Sequence, residues 1–330
     1  MSTRRCAALL WAASMALVSA GPAAAHGLVG QRFFPATLTI DDPFVADELS
    51  LPTVSHIRVP GDGTQDNIPT LQTDLSAELS KRLSPDLGVS LGGSYTFLDP
   101  DQGSSTSGFQ NMEVSLKYVF WKSPEHEALL SAGVSWEVGG TGSKKVGADS
   151  FDTVSPQLFF GKGFGDLPEA VEYLKPLALT GAFGFDIPTR RYTKTYSTDD
   201  DGVVTTSREI NPQSVSWGFS VQYNLQYLQS FVRDVGLRAP FNRMIPIVEF
   251  SMQTPVEGPD AGRTTGTINP GIIWFGRYLQ LGIEAVVPVN DRTGRNLGVI
   301  GQVHFYLDDI WPAIFTWTPF HGVLGPTQPQ

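Results

Sequence analysis

Eleven polar or charged residues are the chemistry this chain offers outside its termini. They are Asp74, Glu78, Glu113, Lys117, Glu137, Asp186, Gln222, Asn224, Glu249, Glu284 and His304. Seven are carboxylates, one is a lysine and one an imidazole, so their balance is acidic. None lies in a pattern that activates a nucleophile. The chain has no G-x-S-x-G, no H-E-x-x-H and no C-x-x-C, and an exported hydrolase needs a nucleophile, a base and an orienting group. The glycine-rich stretches "GKGFGD" (161–166) and "GTGSKK" (140–145) lack phosphate-loop spacing. "DPDQGSSTSG" (99–108) lacks the calcium-loop pattern. The chemistry that remains is selection: acids around a wet interior favour cations or relay protons. The bland alternative is that they pair with Lys117, loop arginines or water.

Each of these residues sits in an alternating segment. In "NMEVSLKYVFW" (111–121), Met112, Val114, Leu116, Tyr118 and Phe120 share one parity, while Glu113, Ser115 and Lys117 share the other. Successive side chains of an extended chain point to opposite faces, so this is a strand with one apolar and one polar face. "TLQTDLSAELS", "LGVSLGGSYTF", "SVSWGFSVQYNLQY", "LQLGIEAVV" and "LGVIGQVHFYL" repeat the pattern.

Twelve strands are predicted, over 51–58, 71–82, 86–98, 109–121, 127–138, 153–163, 177–187, 213–227, 244–254, 266–275, 278–288 and 297–307. Most have the length a tilted strand needs to cross a bilayer. Short links (83–85, 122–126, 276–277) alternate with long polar ones (59–70, 99–108, 139–152, 188–212, 255–265, 289–296), as when tight turns form one rim of a barrel and long loops the other. The segments 165–176 and 228–243 are long for tight turns, and the first reads as a short helix between prolines. The polar parity is rich in Gly, Ser, Gln and Asn, only 17% of the chain is charged, and rings such as Tyr95, Phe97, Tyr118, Phe183, Tyr227, Trp274 and Phe305 fall toward strand ends. Lipid on the apolar face explains all three, because rings suit the two interfaces and a closed barrel leaves no unpaired edge in hydrocarbon. The expected fold is all-β: a closed antiparallel transmembrane barrel of about 12 strands, preceded by a short plug or periplasmic segment.

The first 25 residues carry Arg4 and Arg5, an apolar run from Ala7 to Val18 and Ala23-Ala24-Ala25. That is the layout of a cleaved export signal. The only cysteine, Cys6, lies within it, so no disulfide or thiolate metal site is expected after cleavage. Removing Arg4 and Arg5 from 23 basic residues leaves 21 against 33 acids, a net charge of −12. Such a chain is a poor nucleic-acid partner. Cleavage exposes His26, whose α-amine and ring could chelate copper, although a histidine that merely follows the cut is the simpler reading. Segment 26–50 lacks alternation and reads as a plug in the lumen, a periplasmic tail or a partner-binding peptide. The barrel is assigned to 51–310, with 311–330 as a periplasmic tail or extra strand.

Three phrases carry a family resemblance: "FGDLPEAVEYLKPLALTGAFGFDIP" (164–188), "INPGIIWFGRYLQLGIEAVVPVN" (268–290) and "QVHFYLDDIWP" (302–312). With "AHGLVGQRFFPATLTIDDPFVADELSLPTVS" (25–55), they resemble the outer-membrane transporter-like β-barrel family associated with the meta-pathway of phenol degradation. The resemblance implies a twelve-stranded type of barrel and an outer-membrane location. Partners would then be the lipid bilayer, the barrel-assembly machinery and a small solute, apolar or aromatic ones included. No cofactor is expected, nor an enzyme. The alternative is a structural or metal-handling barrel that presents His26.

Overall fold

The computed structural model describes residues 27–61, 68–198 and 204–320. The signal segment 1–25, His26 and the end of the C-terminal tail lie outside the described residues. Twelve strands form one closed antiparallel barrel: β1 Glu48–Val59, β2 Thr70–Arg82, β3 Leu87–Pro100, β4 Met112–Ser123, β5 Ala128–Val138, β6 Thr153–Gly163, β7 Leu177–Pro188, β8 Ser214–Tyr223, β9 Met244–Pro255, β10 Thr265–Phe275, β11 Leu279–Pro288 and β12 Gly298–Tyr306. Each pairs with its sequence neighbour, and β12 returns to β1 from Val299↔His56 to Tyr306↔Glu48. A four-residue strand, Thr106–Phe109, folds back on the upper end of β3. A hairpin of Tyr192–Thr198 and Val204–Ile210 rises from the β7–β8 link, and 199–203, which hold the three aspartates of "TDDDG", lie outside the described residues.

The strand alternation sorts side chains in the reverse of a soluble protein. Large apolar side chains are exposed on the outer face, among them Leu75, Leu91, Leu116, Trp136, Leu158, Phe183, Trp217, Ile283 and Val299. On the inner face Thr96, Ser131, Thr180, Ser220, Glu249, Asn269 and Gln280 are fully buried. Buried polar groups are tolerated where they are hydrogen-bonded, and Thr180, Ser220 and Gln222 bond one another across β7 and β8.

One strand ends earlier than its pattern predicts. The alternation of "SVSWGFSVQYNLQY" runs to Tyr227, but β8 stops at Tyr223. The Asn224 side chain accepts the backbone N–H of Tyr227 at 3.0 Å and caps a helical turn, Leu225–Tyr227. Asn224 is therefore a helix cap, because a short amide at a strand end satisfies an orphan backbone donor. Tyr227 faces inward, 5% exposed, and belongs to no outer girdle. After β12 the chain makes two short helices, Leu307–Ile310 and Pro312–Phe315, and no further strand appears among the described residues.

Candidate functional site

Residues 27–46 occupy the inside of the barrel toward its short-turn rim. A small hairpin, Leu28–Val29 with Arg32–Phe33, comes first. Val29 and Phe34 pack with Val119, Leu129 and Ala178, while Leu38 packs with Ile245, Ile247, Ile273 and Ile300. The wall is built to receive this segment. A Cβ added to Gly218 would sit 2.5 Å from Ile40 Cγ2, and one on Gly282 would sit 2.6 Å from Leu38 Cδ1. Those glycines make room for a second layer of chain, as glycine does where another backbone approaches a strand. Gly282→Leu is expected to expel Leu38, since overpacking costs about 1–3 kcal/mol. Amide hydrogen exchange should accelerate at 37–40 and stay slow in β10 and β11; unchanged protection at 37–40 would contradict the packing described.

Several polar anchors hold the segment. The Glu249 carboxylate accepts the backbone N–H groups of Leu38 (2.9 Å), Thr39 (2.7 Å) and Ile40 (3.1 Å). Thr39 Oγ1 donates to Glu284 Oε2 at 3.2 Å and accepts from Asn269 Nδ2 at 2.7 Å. At the tip of the segment, Lys117 Nζ donates to Asp41 Oδ1 and to the Asp42 carbonyl, both at 2.7 Å. Where the segment leaves for β1, Asp47 accepts from Lys81 Nζ (2.7 Å), Arg82 Nε (2.7 Å) and the Arg82 backbone N–H (2.9 Å).

A further anchor is a buried ion pair at the short-turn rim. Arg32, fully buried, donates to Glu127 Oε2 (3.1 Å), to the Pro176 carbonyl (2.9 Å) and to the Lys175 carbonyl. Its guanidinium stacks 3.7 Å from the centroid of the Tyr227 ring, and Tyr227 donates to Glu127 Oε1 at 2.8 Å. Burial pulls the Arg32 guanidinium down, and Glu127 and then Tyr227 push it back up. Burial, then the bond to Glu127, pushes the Tyr227 phenol up to about 12, so it stays a donor. Glu127 has a φ of 47°, left-handed for a residue that rarely adopts it. Strain of this kind persists where the surroundings over-determine it, and here the side chains of Arg32 and Tyr227 and the backbone N–H of Gly165 (3.1 Å) converge on one carboxylate.

Two joined cavities remain beside and above the segment. The first, of about 640 Å³, runs along β1–β4 and is lined by Glu48, Asp74, Glu78, Glu113, Lys117 and His304 among others. The second, of about 580 Å³, reaches the long-loop rim past Glu137, Asp149, Asp186 and Glu209. Asp41, Glu78, Glu113 and Lys117 line both. The register sets the acids in a row: Glu78 faces Gly92, Gly92 faces Glu113, and Glu113 faces Glu137. Like charges directly opposite across a sheet destabilise it, so pairing alone does not favour this row. Among the described residues, Lys117 is the only lysine or arginine lining either cavity, and Asp41 and Asp42 hold it.

The sequence-expected residues thus divide by environment. Asp74 accepts from Ser55, Gln72 and Thr96, and Asp186 from Ser155, Ser216 and Gln253. Glu137 accepts from Asn111 at 2.8 Å. His304 is 3% exposed, with Ser50 Oγ 2.9 Å from Nδ1 and Glu48 Oε2 3.3 Å from Nε2. Glu249 and Glu284 face inward but are fully covered by the segment and line neither cavity, while Gln222 bonds within the wall. Composition missed Arg32, Glu127, Tyr227 and Asp41, which lie in turns and in a segment without alternation. Among the described residues, no group of three or more His, Cys, Asp or Glu is arranged to hold a metal ion.

No family model matches the chain, and no curated protein matches it. Among solved structures, an outer membrane channel from Pseudomonas putida is similar over 83% of this chain and 99% of its own, with 12% identity and a TM-score of 0.53. The NanC porin is similar over 78% of this chain and 98% of its own, with 9% identity and a TM-score of 0.44. The KdgM porin, solved in complex with disordered oligogalacturonate, covers the same two shares, with 12% identity and a TM-score of 0.40. The first likeness shows the fold, and the other two are too distant to carry an argument.

Proposed function

We propose that the protein is an outer-membrane channel that passes small cationic or polar solutes along an acid-lined path beside its own N-terminal segment. The apolar outer face supports the membrane location, because water contact over so broad a belt is unfavourable at about 25 cal/mol per Å². The family resemblance points the same way and names no solute. The row Glu78–Gly92–Glu113–Glu137 carries the reading. It places Glu78 and Glu113 where the two cavities meet and Glu137 in the second, an excess of acid over the single Lys117 there, and rings of acid favour cations in a pore. An apolar or aromatic solute, which the sequence left open, finds less support in this lining. The N-terminal segment acts as a plug that narrows the path, with Lys117 fixing its tip.

Uptake into liposomes tests this reading. Reconstituted protein should admit a small organic cation faster than an anion of equal size. Glu78→Gln with Glu113→Gln should cut that preference several-fold. The same pair of changes should stabilise the barrel by about 0.5 kcal/mol, because it removes like-charge repulsion. Equal uptake of cation and anion by the unaltered protein would exclude the acidic path.

A further inference from the structure

The barrel's arginines divide into paired and unpaired ones at both rims. On the short-turn side Arg32 pairs with Glu127, and Arg82 with Asp47 and Asp308. On the long-loop side Arg190 and Arg208 are exposed, with no ion pair among the described residues. At the long-loop rim Arg58 pairs with Asp101, Arg191 with Glu257, and Arg263 and Arg292 both with Asp260. At the short-turn rim Arg233, Arg238, Arg243 and Arg277 are exposed and have no ion pair among the described residues. Arg233 donates to the Tyr173 hydroxyl at 2.8 Å, a neutral partner. The one acid in 228–243, Asp234, accepts the backbone N–H of Gly236 at 2.9 Å.

Arg233, Arg238 and Arg243 lie in the β8–β9 link and Arg277 in the β10–β11 turn, the next link around the same rim. The turn Leu225–Tyr227 packs against the turn Phe241–Arg243. The pairing of Met244 with Trp274 then sets Arg243 beside the β10–β11 turn that carries Arg277. Phe231 (52% exposed), Phe241 (59%) and Tyr278 (46%) stand among them, partly open to the outside, with Phe231 against the Tyr227 ring and the Arg277 guanidinium 5.2 Å from the centroid of the Tyr278 ring. A surface of exposed rings and unpaired guanidinium groups has the chemistry of a lipid headgroup boundary. Rings settle at headgroup depth, and a guanidinium fork matches phosphate oxygens.

We propose that this rim binds an anionic glycerophospholipid of the facing membrane leaflet. The phosphate sits among Arg233, Arg238, Arg243 and Arg277, and the acyl chains lie along Phe231, Phe241 and Tyr278. The inference rests on the membrane reading of the barrel and adds a lipid class and a place. Tight turns face the periplasm in outer-membrane barrels, so the lipid belongs to the inner leaflet.

Native mass spectrometry of the detergent-purified barrel, charged with phosphatidylglycerol or phosphatidylcholine, tests it. Phosphatidylglycerol should be retained in preference. Arg→Gln changes at 233, 238, 243 and 277 should lower that retention by roughly fivefold for each arginine. Matching changes at Arg191, Arg263 and Arg292 should leave it intact. Equal retention of the two lipids, or undiminished retention after the four changes, overturns the proposal; so does displacement by millimolar inorganic phosphate, which would mark a free-anion site. Gel mobility that shifts on heating reports whether each variant is folded. If the fourfold variant is unfolded, Arg243→Gln with Arg277→Gln replaces it under the same criteria. A barrel that stayed in solution without detergent would instead defeat the membrane reading, a separate and visible failure.

Discussion

Glu249→Leu is expected to open the barrel. Leucine fits the volume but accepts no hydrogen bond, so the N–H groups of Leu38, Thr39 and Ile40 lose their common partner. Each buried donor left unmade costs about 1–3 kcal/mol. The loss falls on the segment more than on the wall, because β8, β9 and β10 keep their ladder bonds. Leu38 and Ile40 should leave the wall, and single-channel conductance in planar bilayers should rise several-fold, toward that of a variant lacking 27–46. Glu249→Gln keeps one acceptor oxygen and should fall between. A folded Glu249→Leu barrel with unaltered conductance would show that the segment does not limit passage.

Arg32→Leu should free the other end of the segment. Removing one partner of a buried pair leaves an uncompensated charge and costs about 3–5 kcal/mol. Here the stranded group is Glu127, 4% exposed and already in a left-handed conformation. Amide exchange should become fast in the hairpin 28–33 and in the turn 124–127, while β4 and β5 stay protected. Adding Glu127→Gln should restore part of the loss, since the stranded charge is then gone. A double variant no better than the single would show that the pair contributes through packing alone.

These effects bear on how much the sequence disclosed. All twelve strands were legible, because a wall between lipid and a polar interior forces a period of two on every spanning segment. Link lengths disclosed the two rims for the same reason. Three features misled. Tyr227 falls in phase with β8 by coincidence, and only the capping bond of Asn224 shows that the strand has ended. Gly218 and Gly282 read as parts of a wet face, although they lie under Ile40 and Leu38. Glu249 and Glu284 share the parity of Glu113, and parity alone does not tell an acid facing water from one facing a second layer of chain. The segment 27–46 is irregular, with Pro35 and Pro43 in it, so no period announced its path. Its anchors link residues far apart in the chain, such as Arg32 to Glu127 and Leu38 to Glu249, and a single sequence shows no such pairing.

The most direct test of the acid-lined path is the reversal potential of the unaltered protein in a planar bilayer under a tenfold KCl gradient. The arrangement of Asp41, Glu78, Glu113 and Glu137 predicts a potential displaced toward the cation limit of about 59 mV. A potential of zero, or one of the anion-selective sign, would contradict it.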